Sequence, residues 1–332
     1  MLCLGIESSC DETSVALVED GRRVLANEVA SSAQIHARYG GVIPEIASRK
    51  HLESLAPLFD SAINKAQVNS RDIDLICAVN RPGLIPALLV GFTFAKAIAL
   101  FLDRPIIAVD HILAHLYAPF LQLGEEDSVD EISFPFIGLI VSGGHTNLYL
   151  VKNWQDIVLL GKTRDDAAGE ALDKAGKMLG LGYPGGPAID KLSRGVLPKE
   201  SFPVYCPKDN LEFSYSGLKT SLYYFLKKNE IDGEKEMPQI CADFQRAVVY
   251  PLINRAICAA RHYKAKDIVF GGGVSANSYL RQEMMNFKDE FNVFFPPLSL
   301  CLDNAAMVAG LGFHWRNNPA KMNEDVYSRS SV

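Results

Sequence analysis

Residues Leu2–Val18 run LCLGI, ESSCDET, SVALV: an apolar strand, a polar turn and a second apolar strand. Residues Pro135–Val151 run PFIGLIV, SGGHT, NLYLV and repeat that plan in the second half of the chain. Two hairpins of this kind indicate a duplicated domain. After each, helical and strand periodicities alternate, which is the mark of α/β architecture. In the first half, His51–Ala66 and Ala87–Leu102 have helical spacing, and Asp74–Val79 and Pro105–Val109 read as strands. In the second half, helices are expected over Ala167–Leu179, Leu218–Lys228, Ile240–Tyr263 and Asn304–Trp315, and strands over Asp267–Phe270 and Asn292–Phe295. The charged stretch Lys227–Glu236 reads as an exposed loop.

A chain of 332 residues, 48% apolar and 22% charged, has enough material for two cores. The opening MLCLGIESSC has no basic segment ahead of a long apolar run, so it reads as a strand and not as a secretory signal. The apolar run Ile85–Leu102 is broken by Pro86, Gly91, Thr93 and Lys96, which favours a packed helix over a membrane span. Its seven cysteines are scattered and never form CxxC, as expected of reduced thiols. The expectation is a cytoplasmic protein without a membrane segment. A net charge of −6 argues against autonomous tight binding to nucleic acid, which needs clustered Lys and Arg. Arg38, Arg49 and Lys50, around Tyr39-Gly40-Gly41, form a modest basic candidate against the simpler reading of a solvated helix face.

The stretch DHILAHLYAPFL places Asp110 where it can cap a helix and puts His111 and His115 at i and i+4, on one face. Both imidazoles can then reach one metal ion, and a third ligand must come from elsewhere. Asp303, in SLCLDNAAM, is the chosen carboxylate. Ile112 occupies the place of the Glu in HExxH, so the usual general base of zinc peptidases is missing. The two hairpin turns carry a second kind of chemistry. Glu7, Asp11 and Glu12 offer carboxylates among Ser8, Ser9 and Thr13, whereas Ser142-Gly143-Gly144-His145-Thr146 exposes N–H groups suited to an anion. GYPGGPAID (Gly182–Asp190) and GGGVSAN (Gly271–Asn277) are further glycine-rich loops at helix starts, and neither matches a Rossmann or Walker pattern. Asp173 and Asp190, taken singly, read as solvent-facing helix carboxylates. Tyr215, Tyr223, Tyr224 and Phe225 read as core or interface. Cys10, beside Asp11, reads as an unreactive thiol. His36, His51, His145, His262 and His314 show no pairing like that of His111 and His115.

In one order across the chain stand ESSCDETSVAL, SSAQIHARYGGVIPEIASRKH, DHILAHL, IVSGGHTNL, DDAAGEALDKAGKMLGLGYPGGPAID, FSYSGLKT, GGGVSAN and DNAAM. This series resembles the TsaD family of bacterial tRNA N6-adenosine threonylcarbamoyltransferases. The resemblance implies a duplicated actin-like, Hsp70-like (ASKHA) α/β fold. Two domains, each a mixed sheet flanked by helices, would have the active site in the cleft between them. The expected division is 1–109 plus 304–332, and 110–303. It further implies one divalent metal ion, iron(II) or alternatively zinc, on His111, His115 and Asp303. Ile140, Val141, Ser142, Gly143, Gly144, Asp173, Gly186, Asp190 and Asn277 would bind threonylcarbamoyl-adenylate, and Asp11 and Glu12 would act in the site.

The implied reaction moves the threonylcarbamoyl group to N6 of adenosine 37 in tRNAs that read codons beginning with A, and releases AMP. The implied partners are the tRNA anticodon loop, a separate synthase that makes the adenylate, a non-catalytic paralogue and a small ATPase. Alternatives are a metallopeptidase, a label such sequences have attracted, a small-metabolite kinase of the same fold, and a non-catalytic scaffold. Two departures stand out: Asn80-Arg81-Pro82-Gly83-Leu84-Ile85-Pro86 where the family has GPGL and a second glycine, and Leu302-Asp303-Asn304 where it has TDN.

Overall fold

The computed structural model describes residues 1–37, 41–124, 132–207, 210–228 and 233–331. It divides into two compact units, Met1–Glu131 with Leu302–Val332, and Ile132–Cys301.

In the first unit the elements are β1 (Leu2–Glu7), β2 (Glu12–Glu19), β3 (Arg23–Ser31), α1 (Ala33–Ala37), α2 (Pro44–Ala66), β4 (Leu75–Arg81), α3 (Ile85–Leu102), β5 (Ile106–Asp110) and α4 (His111–Tyr117). The second contains β6 (Phe136–Val141), β7 (Thr146–Asn153), β8 (Asp156–Lys162), α5 (Ala168–Met178), α6 (Gly185–Ser193), α7 (Ser216–Lys228), α8 (Gly233–Tyr263), β9 (Asp267–Gly271), α9 (Ser278–Met284) and β10 (Asn292–Phe294). The helix α10 (Ala305–His314) returns to the first unit.

The first sheet has the order β3-β2-β1-β4-β5 and the second β10-β9-β6-β7-β8. Read from the hairpin outward, these are one topology used twice. In each, an antiparallel meander of three strands continues through the first strand into two parallel ones. The expected duplication is therefore present strand for strand. The edge strands β3 and β8, which the sequence reading did not single out, are mostly half-buried and expose Val29 and Val158, so apolar period and burial do not coincide in them.

Every residue of β1 is buried, as a central strand covered on both faces requires. Gly5 lies against α10, where an added Cβ would meet Ala305 O at 2.1 Å, and the next residue, Ile6, faces Gly91 of α3. Adjacent strand residues point to opposite faces, so α10 and α3 cover the two sides of the sheet. By length and composition α3 could cross a membrane. Its Ala87, Leu88, Gly91, Phe92, Ala95 and Ala99 are buried where it packs on β4 and α2, while Leu89, Leu100 and Phe101 are exposed. In the second unit α8 lies against β6 and β9, with α5, α6 and α9 packed on it.

Two expectations are corrected. The expected boundary after Val109 does not hold: β5 runs through Asp110 directly into α4, and α4 packs on α10. Both histidines and Asp303 therefore belong to the first unit, not to a second domain spanning 110–303. In the stretch 227–236, expected to be a loop, 227–228 close α7 and 233–236 open α8, while 229–232 lie outside the described residues.

Candidate active site

Asp110 caps α4 as expected: its Oδ1 accepts the N–H groups of Ile112 at 3.0 Å and Leu113 at 3.3 Å. One turn then separates His111 from His115, and their ring centroids stand 4.8 Å apart. Asp303 arrives from the segment ahead of α10. That helix is seated by Gly5 and by the Ser14 hydroxyl, which accepts the Ala305 N–H at 2.9 Å. Asp303 Oδ1 lies 3.1 Å from His115 Nε2 and 3.5 Å from His111 Nε2. One ligand atom from each of the three residues falls within 4.8 Å of the others.

Behind His111 stands Glu7, fully buried, with Oε2 at 2.9 Å from His111 Nδ1 and Oε1 accepting the Ser9 N–H at 2.6 Å. The Ser9 hydroxyl adds a contact at 3.2 Å. A carboxylate on Nδ1 holds a proton there and aims Nε2 toward Asp303, where a bound ion would take the place of the Nε2 proton, the arrangement found behind metal-bound histidines. Burial opposes a charged His111, yet the Glu7 and Asp303 carboxylates outweigh it and raise the ring to about 10. The site thus attracts positive charge. Two imidazole nitrogens and one carboxylate oxygen fit a divalent transition ion and leave coordination positions for substrate. His115 has no comparable brace, because its buried Nδ1 has no hydrogen-bond partner among the described residues.

Glu12 sits in the field of the same carboxylate, with Asp11 beside it. Burial, then Asp303 and Asp11, push the Glu12 carboxyl up to about 9, and Ser31 donates to its Oε1 at 2.9 Å. Burial and then Asp11 hold the Cys10 thiol far above its ordinary range, so it is no nucleophile. His51, which has no partner histidine at helical spacing, is fully buried and braces this turn: Nδ1 lies 2.8 Å from Thr13 Oγ1 and Nε2 lies 3.1 Å from Cys10 O. Burial lowers its pKa, which keeps the ring neutral and able to bridge a hydroxyl and a carbonyl.

In the second unit, Ser142–Gly144 forms the tip between β6 and β7, closed by Ser142 N–H to His145 O at 2.8 Å and His145 N–H to Ser142 Oγ at 3.1 Å. Gly143 and Gly144 are exposed, with open space where side chains would stand. Gly169 of α5 approaches the back of this turn so closely that a Cβ would meet Ser142 O at 2.5 Å. Ile140 and Val141 are fully buried at the end of β6 and carry the tip from within the sheet.

The two aspartates are not solvent-facing. Half-buried Asp173 accepts the Gly185 N–H at 2.8 Å and the Gly186 N–H at 3.4 Å, pinning one glycine loop to α5. Asp190, 7% exposed, accepts the Ser278 N–H at 3.0 Å and hydroxyl at 2.8 Å, and so ties α6 to α9. Asn277 caps α9 through the Leu280 N–H at 2.9 Å and donates to Gln245 Oε1 at 2.8 Å. These three side chains organise the glycine loops from behind.

Elsewhere, Tyr215 is buried, whereas Tyr223 and Tyr224 are exposed. Of the basic candidate, Arg49 and Lys50 pair with Glu45 and Glu53, and Arg38, Tyr39 and Gly40 lie outside the described residues. The unusual turn at Asn80–Pro86 has a structural use: Arg81 lies 4.2 Å over the Tyr327 ring, and Pro86 enters the first turn of α3, where a missing N–H costs nothing. Glu7 and His51 are the site residues that sequence reasoning missed as partners. The signal for Glu7 was its place at the end of an apolar strand, directly before the polar turn.

Among known proteins, the family described as TsaD, tRNA N6-adenosine threonylcarbamoyltransferase, matches residues 23–310. A protein of that name from Thermosipho africanus is 47% identical over 317 residues, covering 94% of each chain. One from Syntrophotalea carbinolica is 45% identical over 337 residues, covering 100% of this chain and 96% of its own. Solved structures share the fold at low identity. A full-length HypF in phosphate- and nucleotide-bound form has a TM-score of 0.62 at 13% identity, over 98% of this chain and 56% of its own. Component A of the Acidaminococcus fermentans (R)-2-hydroxyglutaryl-CoA dehydratase has a TM-score of 0.56 at 13% identity, over 96% of this chain and 100% of its own. The fold is the duplicated actin-like one, and the chain belongs to the TsaD family of tRNA N6-adenosine threonylcarbamoyltransferases.

Proposed function

We propose that this chain transfers the threonylcarbamoyl group of threonylcarbamoyl-adenylate to N6 of adenosine 37 in tRNAs reading codons that begin with A. The amine nitrogen attacks the carbamoyl carbon, the bond from that carbon to the phosphate oxygen breaks, AMP leaves, and N6 gives up a proton. The observation that carries this reading is the convergence of His111, His115 and Asp303 in a chain matching the family over residues 23–310.

His111, His115 and Asp303 would hold a divalent ion, iron(II) in preference to zinc, with Glu7 fixing the His111 tautomer. Such an ion supplies Lewis acidity toward carbamoyl or phosphate oxygens. The exposed Gly143 and Gly144, on the tip that Ser142 closes, and the glycine-rich start of α6 at Gly186 would hold the anionic adenylate, and Asp173, Asp190 and Asn277 would keep those segments in place. Asp11 and Glu12 would order water or substrate beside Asp303. The target base lies in a single-stranded loop, so it can be presented without opening a duplex. The proposed setting is the cytoplasm, with a separate adenylate synthase, a non-catalytic paralogue and a small ATPase as partners. A metallopeptidase finds no support: Ile112 stands where its base would be, and the nearby Glu7 is already engaged on both oxygens.

The test incubates the purified chain, its helper proteins and the synthase with unmodified tRNA, threonine, bicarbonate and ATP, and digests the tRNA for mass spectrometry. Threonylcarbamoyladenosine should appear only with this chain. It should vanish, together with bound metal, in His111→Ala, His115→Ala and Asp303→Ala. Full activity in a metal-stripped protein would overturn the metal assignment, and absence of product beside an active control enzyme would overturn the transferase reading.

A further inference from the structure

Asp110 uses both carboxylate oxygens, and only one of them caps α4. Its Oδ2 accepts the Ser330 hydroxyl at 2.7 Å, the Ser331 N–H at 2.9 Å and the Ser331 hydroxyl at 3.0 Å. The segment that carries these serines is fastened to β5, α3 and β4. Ala320 N–H donates to Ile106 O at 2.8 Å, Lys96 Nζ donates to Glu324 O at 2.5 Å, and Asn80 Nδ2 donates to Asp325 O at 3.1 Å. Tyr327 N–H returns to Asn80 O at 2.8 Å, Arg81 lies over the Tyr327 ring, and Val326 is buried. The strap therefore runs from β5, past the end of β4, to the residue immediately before His111.

We infer that Ser330 and Ser331 are positioning residues for the metal-binding helix, acting through Asp110 on His111 and His115. An aspartate that only capped α4 would be free to rotate about its own side chain. Three donors on Oδ2 fix its plane, and with it the direction in which Oδ1 meets the Ile112 and Leu113 N–H groups. Those two amides open a helix only seven residues long, whose first residue is one ligand and whose fifth is another. So short a helix holds its direction through its end contacts more than through its own hydrogen bonds. Among the described residues His115 Nδ1 has no hydrogen-bond partner, so apart from the Nε2 contact with Asp303 its ring depends on where the helix backbone puts it. The strap thus supplies, through the backbone, the orientation that Glu7 supplies to His111 through its side chain.

This inference rests on the metal reading above, and the experiment separates the two. Metal-stripped full-length protein is titrated with iron(II) or zinc(II) against a competing chelator, for the unaltered chain, Ser330→Ala/Ser331→Ala and Ser330→Thr/Ser331→Thr. Amide hydrogen exchange of Ile112 and Leu113 is followed in parallel. The alanine pair should bind metal about 10-fold more weakly, the low end of losses seen when outer-shell partners of metal ligands are removed. Its Ile112 and Leu113 amides should exchange faster, while the threonine pair should restore both. Unchanged affinity and exchange in the alanine pair, with a metal-binding unaltered chain, would overturn the inference and leave the metal reading standing. If the unaltered chain takes up no metal, the metal reading falls and takes the inference with it. Should the alanine pair fold poorly, Asp110→Asn, which keeps the Oδ1 cap and replaces the Oδ2 acceptor with a donor, gives the same two readouts.

Discussion

The Glu7 carboxylate, fully buried and 2.9 Å from His111 Nδ1, makes a prediction that belongs to single residues. Glu7→Gln keeps the shape and loses the charge, so metal affinity should fall roughly 10- to 100-fold, as when other carboxylates behind metal-bound histidines are removed. Competition against a chelator measures it, and an unchanged affinity would mean that Glu7 serves only the turn. Glu12 makes a second, with its sign set by protons. Its folded pKa of about 9 lies above the ordinary 4.5, so the folded metal-free protein holds a proton that the unfolded chain releases. The associated stabilisation is complete below pH 4.5 and lost as pH rises toward 9. Glu12→Gln should therefore raise the thermal midpoint at pH 8 relative to the unaltered protein and leave it nearly unchanged at pH 4. Equal pH profiles for the two proteins would show that Glu12 titrates normally.

At the scale of elements, the turn between β6 and β7 separates two kinds of glycine. Gly169→Ala would push a methyl group into Ser142 O, which is backbone and cannot swing away. The cost should be about 1–3 kcal/mol of stability, the range for overpacking a tight contact, with a weakened adenylate site beside it. Gly144 has open space around its missing side chain. Gly144→Ala should leave the unfolding midpoint within about 2 °C, the reach of a surface change away from packed contacts. If the turn cradles the adenylate, the same variant should raise its KM about 10-fold, the loss of roughly one good hydrogen bond. An unchanged KM would remove Gly144 from the binding surface. The glycine-rich stretches Gly182–Asp190 and Gly271–Asn277 are legible in the sequence as loops at helix starts. What holds them is not: Asp173 and Asp190 look like surface carboxylates because helical period says which face a residue shares, not which loop is folded against that face.

For the molecule as a whole, the net charge is −6, and Arg49 and Lys50 of the basic candidate are paired with glutamates. The chain alone should bind tRNA weakly, with a log affinity against log salt slope shallower than about −3, corresponding to few phosphate contacts on single-stranded RNA. Fluorescence anisotropy between low and moderate salt tests this, and a steep slope would reveal a phosphate-tracking surface outside the described residues. Addition of the helper proteins should steepen it.

The sequence by itself determined the duplication, the His111–His115 pair and its Asp110 cap, because strand alternation, helical spacing and capping are local and repeat within a few residues. Only the tertiary structure decided that Asp303 meets His115 across 188 positions and that Glu7 stands behind His111 across 104. It alone placed α4 with the first unit and bound Ser330 and Ser331 to Asp110. Such contacts depend on strand order and on how closely α10 can approach Gly5, and no local period in the chain encodes either.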